Sequence, residues 1–118
     1  MIRLFVLLAM AAAALAQVSS SALLGEIRDQ SSALAPGVKI TARHVATAFT
    51  RTTLTGADGS YRMDELLPGT YAVTAERPGF QPVTVEGVVL EVSRKARLDL
   101  ELQVGATREA VTVTGRVS

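Results

Sequence analysis

The stretch Gly56-Ala57-Asp58-Gly59-Ser60-Tyr61-Arg62-Met63 decides the fold, together with Leu66-Leu67-Pro68-Gly69-Thr70-Tyr71-Ala72-Val73 and the following Pro78-Gly79-Phe80. Asp58-Gly59 predicts a turn with a positive φ angle. Pro68-Gly69 predicts a second turn, because proline fixes one φ angle and glycine permits the next. Each turn precedes a short alternating run that contains a tyrosine. The sequence therefore predicts a compact antiparallel β unit.

Alternating apolar and polar side chains predict strands on both sides of this unit. Four runs alternate or are strand-like: Ala22 to Asp29, Val38 to Arg43, Tyr71 to Glu76 and Arg97 to Val104. We expect inward-facing side chains at Val38, Ile40, Ala42, Tyr71, Val73, Ala75, Leu98, Leu100, Leu102 and Val104. Because turn signals recur every few residues, the pattern predicts an all-β fold, a small antiparallel β-sandwich of about seven strands.

Two details of strand pairing are predicted as well. The threonine-rich run from Phe49 to Thr55 is expected to pair with Ser60 to Met63 across the turn at Gly56 to Gly59. Gly87 interrupts an extended stretch and predicts a bulge or kink there.

The first sixteen residues have the pattern of a secretory signal peptide. Arg3 supplies the charge, an apolar run follows, and Ala14-Leu15-Ala16 is a small-x-small cleavage site before Gln17. The run is too short to span a bilayer. The sequence thus predicts a helical signal peptide at 1–16, a polar lead-in at 17–21 and export of the mature chain, which has no membrane span.

The composition excludes several classes of protein. Eleven acidic and twelve basic residues, with no basic run, leave no electrostatic surface for nucleic acid or anionic lipid. Cysteine is absent, so an exported domain of this sequence is held together by packing alone. Tryptophan is absent too, which weakens a carbohydrate-binding interpretation. We expect a monomer.

The turn and tyrosine pattern resembles the signature of the carboxypeptidase regulatory-like domain, with Gly56 standing where that signature has its first aspartate. The resemblance covers about Leu24 to Leu102, within a predicted domain at 22–104. It implies a small sandwich of the transthyretin-like, starch-binding-like or Cna B-type kind. The matching signature residues are Gly25, Asp58, Gly59, Tyr61, Leu67, Pro68, Gly69, Tyr71, Gly79 and Phe80.

No constellation in the sequence predicts catalysis. His44 is the single histidine, interpreted as a solvated side chain at a strand end. Asp58 is interpreted as a turn residue, and Asp64-Glu65 as a pair of solvated carboxylates. We therefore predict a protein that is not an enzyme, with no catalytic residue, no metal ligand and no cofactor.

Cna B-type relatives can carry a lysine isopeptide bond assisted by a buried acid. Glu76 matches the position of that acid, and the amine and its acceptor would have to come from Lys39 or Lys95 and from Asp99. Asp99 falls on the predicted polar face of its strand, which argues against this variant.

The end of the chain is predicted to be a linker, over residues 105–118. Its run Glu109-Ala-Val-Thr-Val-Thr-Gly115 resembles the join that follows such a domain in TonB-dependent, Oar-like outer-membrane receptors. This implies a periplasmic or outer-membrane-associated module that acts in interaction or spacing. The alternative is a freestanding exported module that binds carbohydrate or adheres. A protein or a carbohydrate at the cell envelope is the expected partner, and the DNA downstream of Ser118 distinguishes the two.

Overall fold

Nine β-strands and no helix make up the part of the chain that the computed structural model describes, residues 19–105 and the backbone of residues 111–114. The strands are β1 (Ser21–Asp29), β2 (Lys39–His44), β3 (Thr50–Leu54), β4 (Ser60–Leu66), β5 (Gly69–Glu76), β6 (Val83–Leu90), β7 (Lys95–Arg97), β8 (Leu100–Leu102) and β9 (Val111–Thr114). The predicted all-β sandwich is confirmed. The predicted signal peptide at 1–16 and its cleavage site lie outside the described residues.

The strands form two sheets. In the first, β1 is central: β4 pairs with it antiparallel, while β7 and β8 pair in succession with its other edge in parallel. The second sheet has the order β3-β2-β5-β6-β9, antiparallel except for the parallel pair of β6 and β9. Alternation in a sequence does not specify strand direction, so these parallel pairs were not predictable from it.

The core lies between the two sheets and follows the predicted alternation in β2 and β5. All six inward positions there are buried: Val38, Ile40, Ala42, Tyr71, Val73 and Ala75. The apolar side chains of β1 and β4 face them from the other sheet, with Leu23, Ile27, Met63 and Leu66 among the buried residues. Period-2 patterning therefore placed this part of the core correctly.

The run from Arg97 to Val104 departs from its prediction. It is divided between β7 and β8, because the Leu98 carbonyl accepts from the Tyr61 hydroxyl and the Glu26 N–H donates to the Asp99 side chain, so the backbone ladder to β1 is interrupted between them. Leu98 and Leu102 are buried, but Leu100 is half-buried. Val104 is 60% exposed and has left the sheet for an isolated bridge to Phe80. The inward orientation predicted for Val104 is wrong.

The predicted pairing of Phe49 to Thr55 with Ser60 to Met63 is also wrong. The turn between them carries the chain from one sheet to the other, so β3 pairs with β2 and β4 pairs with β1. At one end of the turn the Thr55 N–H donates to Val38, and at the other the Ile27 N–H donates to Gly59. Gly59 has φ +72°, as the turn signal required.

Two bulges bend the strands. Between the pairs Tyr71↔Val88 and Val73↔Val85, two residues of β6 oppose one of β5, and Gly87 has φ +71°. The bulge predicted at Gly87 is confirmed. A second one, at Glu65 with φ 57°, interrupts β4 where it pairs with β1.

Both ends of the predicted domain extend further than expected. β1 begins at Ser21, whose side chain is buried, inside the predicted lead-in. The predicted linker at 105–118 contains β9, which pairs with β6 in the register Val83↔Val111 to Glu86↔Thr114. The linker prediction is thus wrong for Val111–Thr114, since an edge of β6 is available to pair with it. Residues 106–110 and 115–118 lie outside the described residues.

Candidate functional site

Two signature residues, Gly25 and Tyr61, meet at Leu98, between β7 and β8. Gly25 on β1 lies directly beneath the Leu98 carbonyl, and a Cβ at this position would overlap that oxygen and approach the carbonyl carbon to 2.7 Å. The Tyr61 hydroxyl donates to the same carbonyl at 2.5 Å. Burial of the ring raises the pKa of Tyr61, because the charged phenolate would be desolvated. Gly25 and Tyr61 therefore fix the backbone at Leu98 against β1, and neither presents a reactive group to solvent.

A second group of signature residues holds the turn between β4 and β5. The Tyr71 hydroxyl donates to the Leu67 carbonyl, 2.6 Å away and four residues upstream. Burial raises the pKa of Tyr71 as well. His44 Nε2 lies 3.1 Å from the Pro68 carbonyl, and Gly69 passes so close that an added Cβ would lie 2.5 Å from the same nitrogen.

The prediction that His44 is solvated is wrong. Its exposure is 7%, its ring meets the Tyr71 ring edge to face at a centroid distance of 5.0 Å, and the Thr47 N–H donates to Nδ1 at 3.3 Å. The two ring contacts require Nε2 to carry the proton and Nδ1 to accept. The signal was present in the sequence, because position 44 continues the inward series Val38, Ile40 and Ala42.

The remaining signature residues shape two further turns. Asp58 Oδ1 accepts from the Ser60 hydroxyl and the Ser60 N–H, and these hydrogen bonds lower the pKa of Asp58. Gly79 has φ +89° and accepts from the Gly105 N–H at 3.4 Å. Phe80 is half-buried beneath the Arg77 guanidinium, which lies 5.6 Å from the ring centroid.

The isopeptide hypothesis is wrong for this fold, because its residues lie on the surface. Glu76, Lys39 and Lys95 are exposed. Asp99 accepts from the Glu26 N–H at 2.8 Å and from Arg97 at 3.0 Å. Within residues 19–105 and 111–114, no group of three histidine, cysteine or acidic side chains is placed to hold a metal ion. In the same residues, no helix is long and apolar enough to cross a membrane.

An open groove of about 570 Å³ lies at one end of the second sheet. Its polar wall is formed by Lys39, Glu76 and Arg77, and its apolar wall by Leu54 and Phe80. Lys39 and Glu76 are opposite each other in the β2–β5 register. The Arg77 side chain covers one face of Phe80, so that face is not open to a ligand.

The edge formed by β3 is an accessible binding feature of the described chain. Among the described residues β3 pairs with β2 alone, and the flanking side chains of Phe49 and Leu54 are 56% and 63% exposed. Phe49 and Thr55 bond to β2 through their backbones. Because the ladder alternates, the intervening N–H and C=O groups of Thr50, Thr52 and Leu54 point away from β2. β3 thus presents a row of unpaired backbone groups.

Natural edge strands are usually protected by lysine, proline or an inward charge. β3 has neither lysine nor proline, and its one charged side chain, Arg51, donates to the Asp64 carbonyl of β4 at 3.1 Å. This contact joins the edges of the two sheets and leaves the outer side of β3 open. The arrangement can accept another strand by main-chain hydrogen bonding.

Comparison with known proteins agrees with the fold. The profile of the Carboxypeptidase regulatory-like domain matches residues 22–103. The TonB-dependent transporter Oar of Myxococcus xanthus is 34% identical over 97 residues, which is 81% of this chain and 9% of that protein. The chain therefore spans less than a tenth of the length of this relative.

Solved structures with the same fold have varied roles. A candidate carbohydrate-binding protein from Bacteroides uniformis superposes with a TM-score of 0.59 at 24% identity, over 72% of this chain and 42% of that one. Catechol 1,2-dioxygenase from Pseudomonas arvilla gives 0.57 at 12% identity, over 76% of this chain and 54% of that one. At these identities the likeness concerns the fold alone, which many functions share.

Proposed function

Because the chain belongs to the carboxypeptidase regulatory-like domain family, we propose that it is a non-catalytic, exported module of the cell envelope. It is the periplasmic N-terminal extension of a TonB-dependent outer-membrane receptor, and it acts in interaction or spacing through the open edge of β3. The observation that carries the proposal is this edge, in a domain related over most of its length to a TonB-dependent transporter.

The chemistry of β3 supports binding of an extended protein segment. Main-chain hydrogen bonds along an open edge give affinity, and the side chains flanking the new strand give specificity. On β3 these are the exposed Thr50, Thr52 and Leu54, with Phe49 at the entrance. β3 is itself fixed on its inner side by five pairs to β2, so the accepting edge is formed before a partner arrives.

The test uses the full chain expressed in its cell, with a photo-crosslinking residue at position 50. Thr52→Pro removes an outward N–H and leaves the ladder to β2 intact, whereas Thr52→Val changes the same side chain and keeps the N–H. We expect an envelope-fraction crosslink of one defined mass, kept in Thr52→Val and lost in Thr52→Pro at equal thermal stability. Equal crosslinking in the two variants, or recovery of the chain in the cytoplasm, would refute the proposal.

A second candidate is the freestanding module that binds carbohydrate, and the groove beside Phe80 favours it. The groove has charged groups beside an aromatic ring, as sugar sites do, but Arg77 covers one face of that ring. Phe80→Ala distinguishes the two functions. Carbohydrate binding would be lost in that variant, whereas we expect binding at β3 to be unchanged.

A further inference from the structure

The edge of β6 is occupied by the chain itself. Four residues, Val111–Thr114, lie along Val83 to Glu86 in a parallel ladder. This differs from the rest of the second sheet, in which all the other pairs are antiparallel. The direction of the strand that pairs with this edge of β6 is therefore not imposed by a short hairpin turn.

β6 is a rigid template for such a strand. Its other edge pairs with β5 from Gly69 to Ala75, and its inward side chains are buried, namely Val83, Val85, Val88 and Leu90. Because β5 holds β6 from the opposite side, we expect the accepting edge of β6 to keep its shape when β9 is released.

Among the described residues, the backbone pairing of β9 is the shortest in the second sheet. Within the described residues it pairs with β6 alone, over four positions, and parallel pairs are slightly weaker for each residue than antiparallel ones. The last described pair, Glu86↔Thr114, lies next to the bulge at Gly87. Short pairing at a sheet edge opens locally well before the domain unfolds.

We propose that the edge of β6 from Val83 to Glu86 is a strand-binding site, closed in cis by Val111–Thr114. Its ligand is an extended peptide that runs parallel to β6 and carries β-branched residues at successive positions, as the cis strand does. The site opens when β9 is released, so occupation of β6 by a partner and release of the tail are coupled. The inference concerns β6 and stands independently of any role for β3.

The coupling has a predictable size. A segment tethered by a short connection competes at an effective concentration of the order of mM. If the untethered Val111–Thr114 segment binds the open site with a dissociation constant of about 100 μM, a competing peptide therefore binds the closed chain roughly tenfold more weakly than the open one.

The experiment compares the unmodified full chain with a full-length variant carrying Val111→Pro and Val113→Pro, which removes two backbone N–H groups and releases β9. The probe is a capped peptide of residues 109–115, and the control peptide has proline in place of its second valine. We expect the probe to bind the variant at least tenfold more tightly than the unmodified chain, and the control peptide to bind neither. Amide exchange at Val83 to Glu86 should slow when the probe binds.

Three results would overturn the inference: no binding to the variant, equal binding to both chains, or protection outside β6. Exchange in the unmodified chain gives a test that does not depend on the variant folding. Amides of Val111–Thr114 should exchange at least a hundredfold faster than those of Val73 and Ala75 in β5. Equal protection in β9 and β5 would show that β9 does not open separately.

Discussion

Gly25→Ala should be among the most damaging single-methyl changes in this domain. The added Cβ would overlap the Leu98 carbonyl oxygen and lie 3.0 Å from the Tyr61 ring. The oxygen cannot yield independently, because it belongs to a backbone segment that is fixed by two hydrogen bonds. The Leu98 N–H donates to Leu24 at 2.8 Å, and the Tyr61 hydroxyl donates to the Leu98 carbonyl at 2.5 Å.

The expected loss of stability is about 4 kcal/mol. Overpacking of a dense interior costs roughly 1–3 kcal/mol, and displacing Leu98 weakens two hydrogen bonds worth about 1 kcal/mol each. Small domains have total stabilities of about 5–15 kcal/mol, so Gly25→Ala would remove a large fraction. In a domain of this size, 1 kcal/mol shifts the melting temperature by roughly 4–8 °C.

The matched control is Gly37→Ala, because the space around Gly37 is open to 4 Å although its φ is +68°. There the cost is the left-handed backbone alone, about 1 kcal/mol after the gain from a less flexible unfolded chain. Urea unfolding and thermal melting of the two variants should differ by about 3 kcal/mol and more than 10 °C. Equal destabilisation would show that the close approach of Gly25 to Leu98 is relaxed in solution.

Three other substitutions, the last with a matched control, test the core and the buried polar groups. His44→Ala leaves a carbonyl and an N–H of neighbouring turns without partners and should cost about 2–4 kcal/mol in urea unfolding, whereas a solvated His44 would cost almost nothing. Burial raises the pKa of Tyr61, so the stability that Tyr61 contributes is complete below the unfolded-state pKa of about 10 and decreases above it. Between about pH 9 and 11 the melting temperature should therefore fall less steeply in Tyr61→Phe than in the unmodified chain. Leu102→Asp buries an unpaired carboxylate and should unfold or nearly unfold the domain. Glu101→Ala, on the exposed face of β8, should change the free energy of unfolding by no more than about 0.5 kcal/mol. Similar unfolding midpoints for the two variants would mean that the face of β8 is misassigned.

Local chemistry made several features predictable from the sequence. The alternation of apolar and polar residues predicted the inward faces of β2 and β5, because both strands are long and regular and have one side nearer to solvent. Asp58-Gly59 and Gly87 predicted a turn and a bulge, because each feature requires a positive φ that glycine supplies without strain. These features depend on a few neighbouring residues only.

Features that depend on distant partners were not predictable. A turn signal at Gly56 to Gly59 specifies that the chain reverses, but not that it crosses to the other sheet. Likewise, Arg97 to Val104 alternates as one strand, and its division depends on Tyr61, 37 residues before Leu98, whose hydroxyl donates to the Leu98 carbonyl in place of a ladder bond. The alternation of Val111–Thr114 is that of a strand, yet only the availability of the β6 edge decides that it pairs.

The positions of the signature residues indicate that different residues stabilise the fold of this domain and form its proposed binding edges. Gly25 and Tyr61 fix the backbone at Leu98 against β1, and Tyr71 and Gly69 fix the turn beside His44. These residues are directed into the sandwich or hold its turns, so they stabilise the architecture without selecting a partner. In the proposed function, partner selection falls to the strand edges, whose exposed side chains can be substituted without loss of the core. It follows that Tyr61→Phe should lower stability while leaving affinity at the edges unchanged, and that Thr52→Pro should do the reverse.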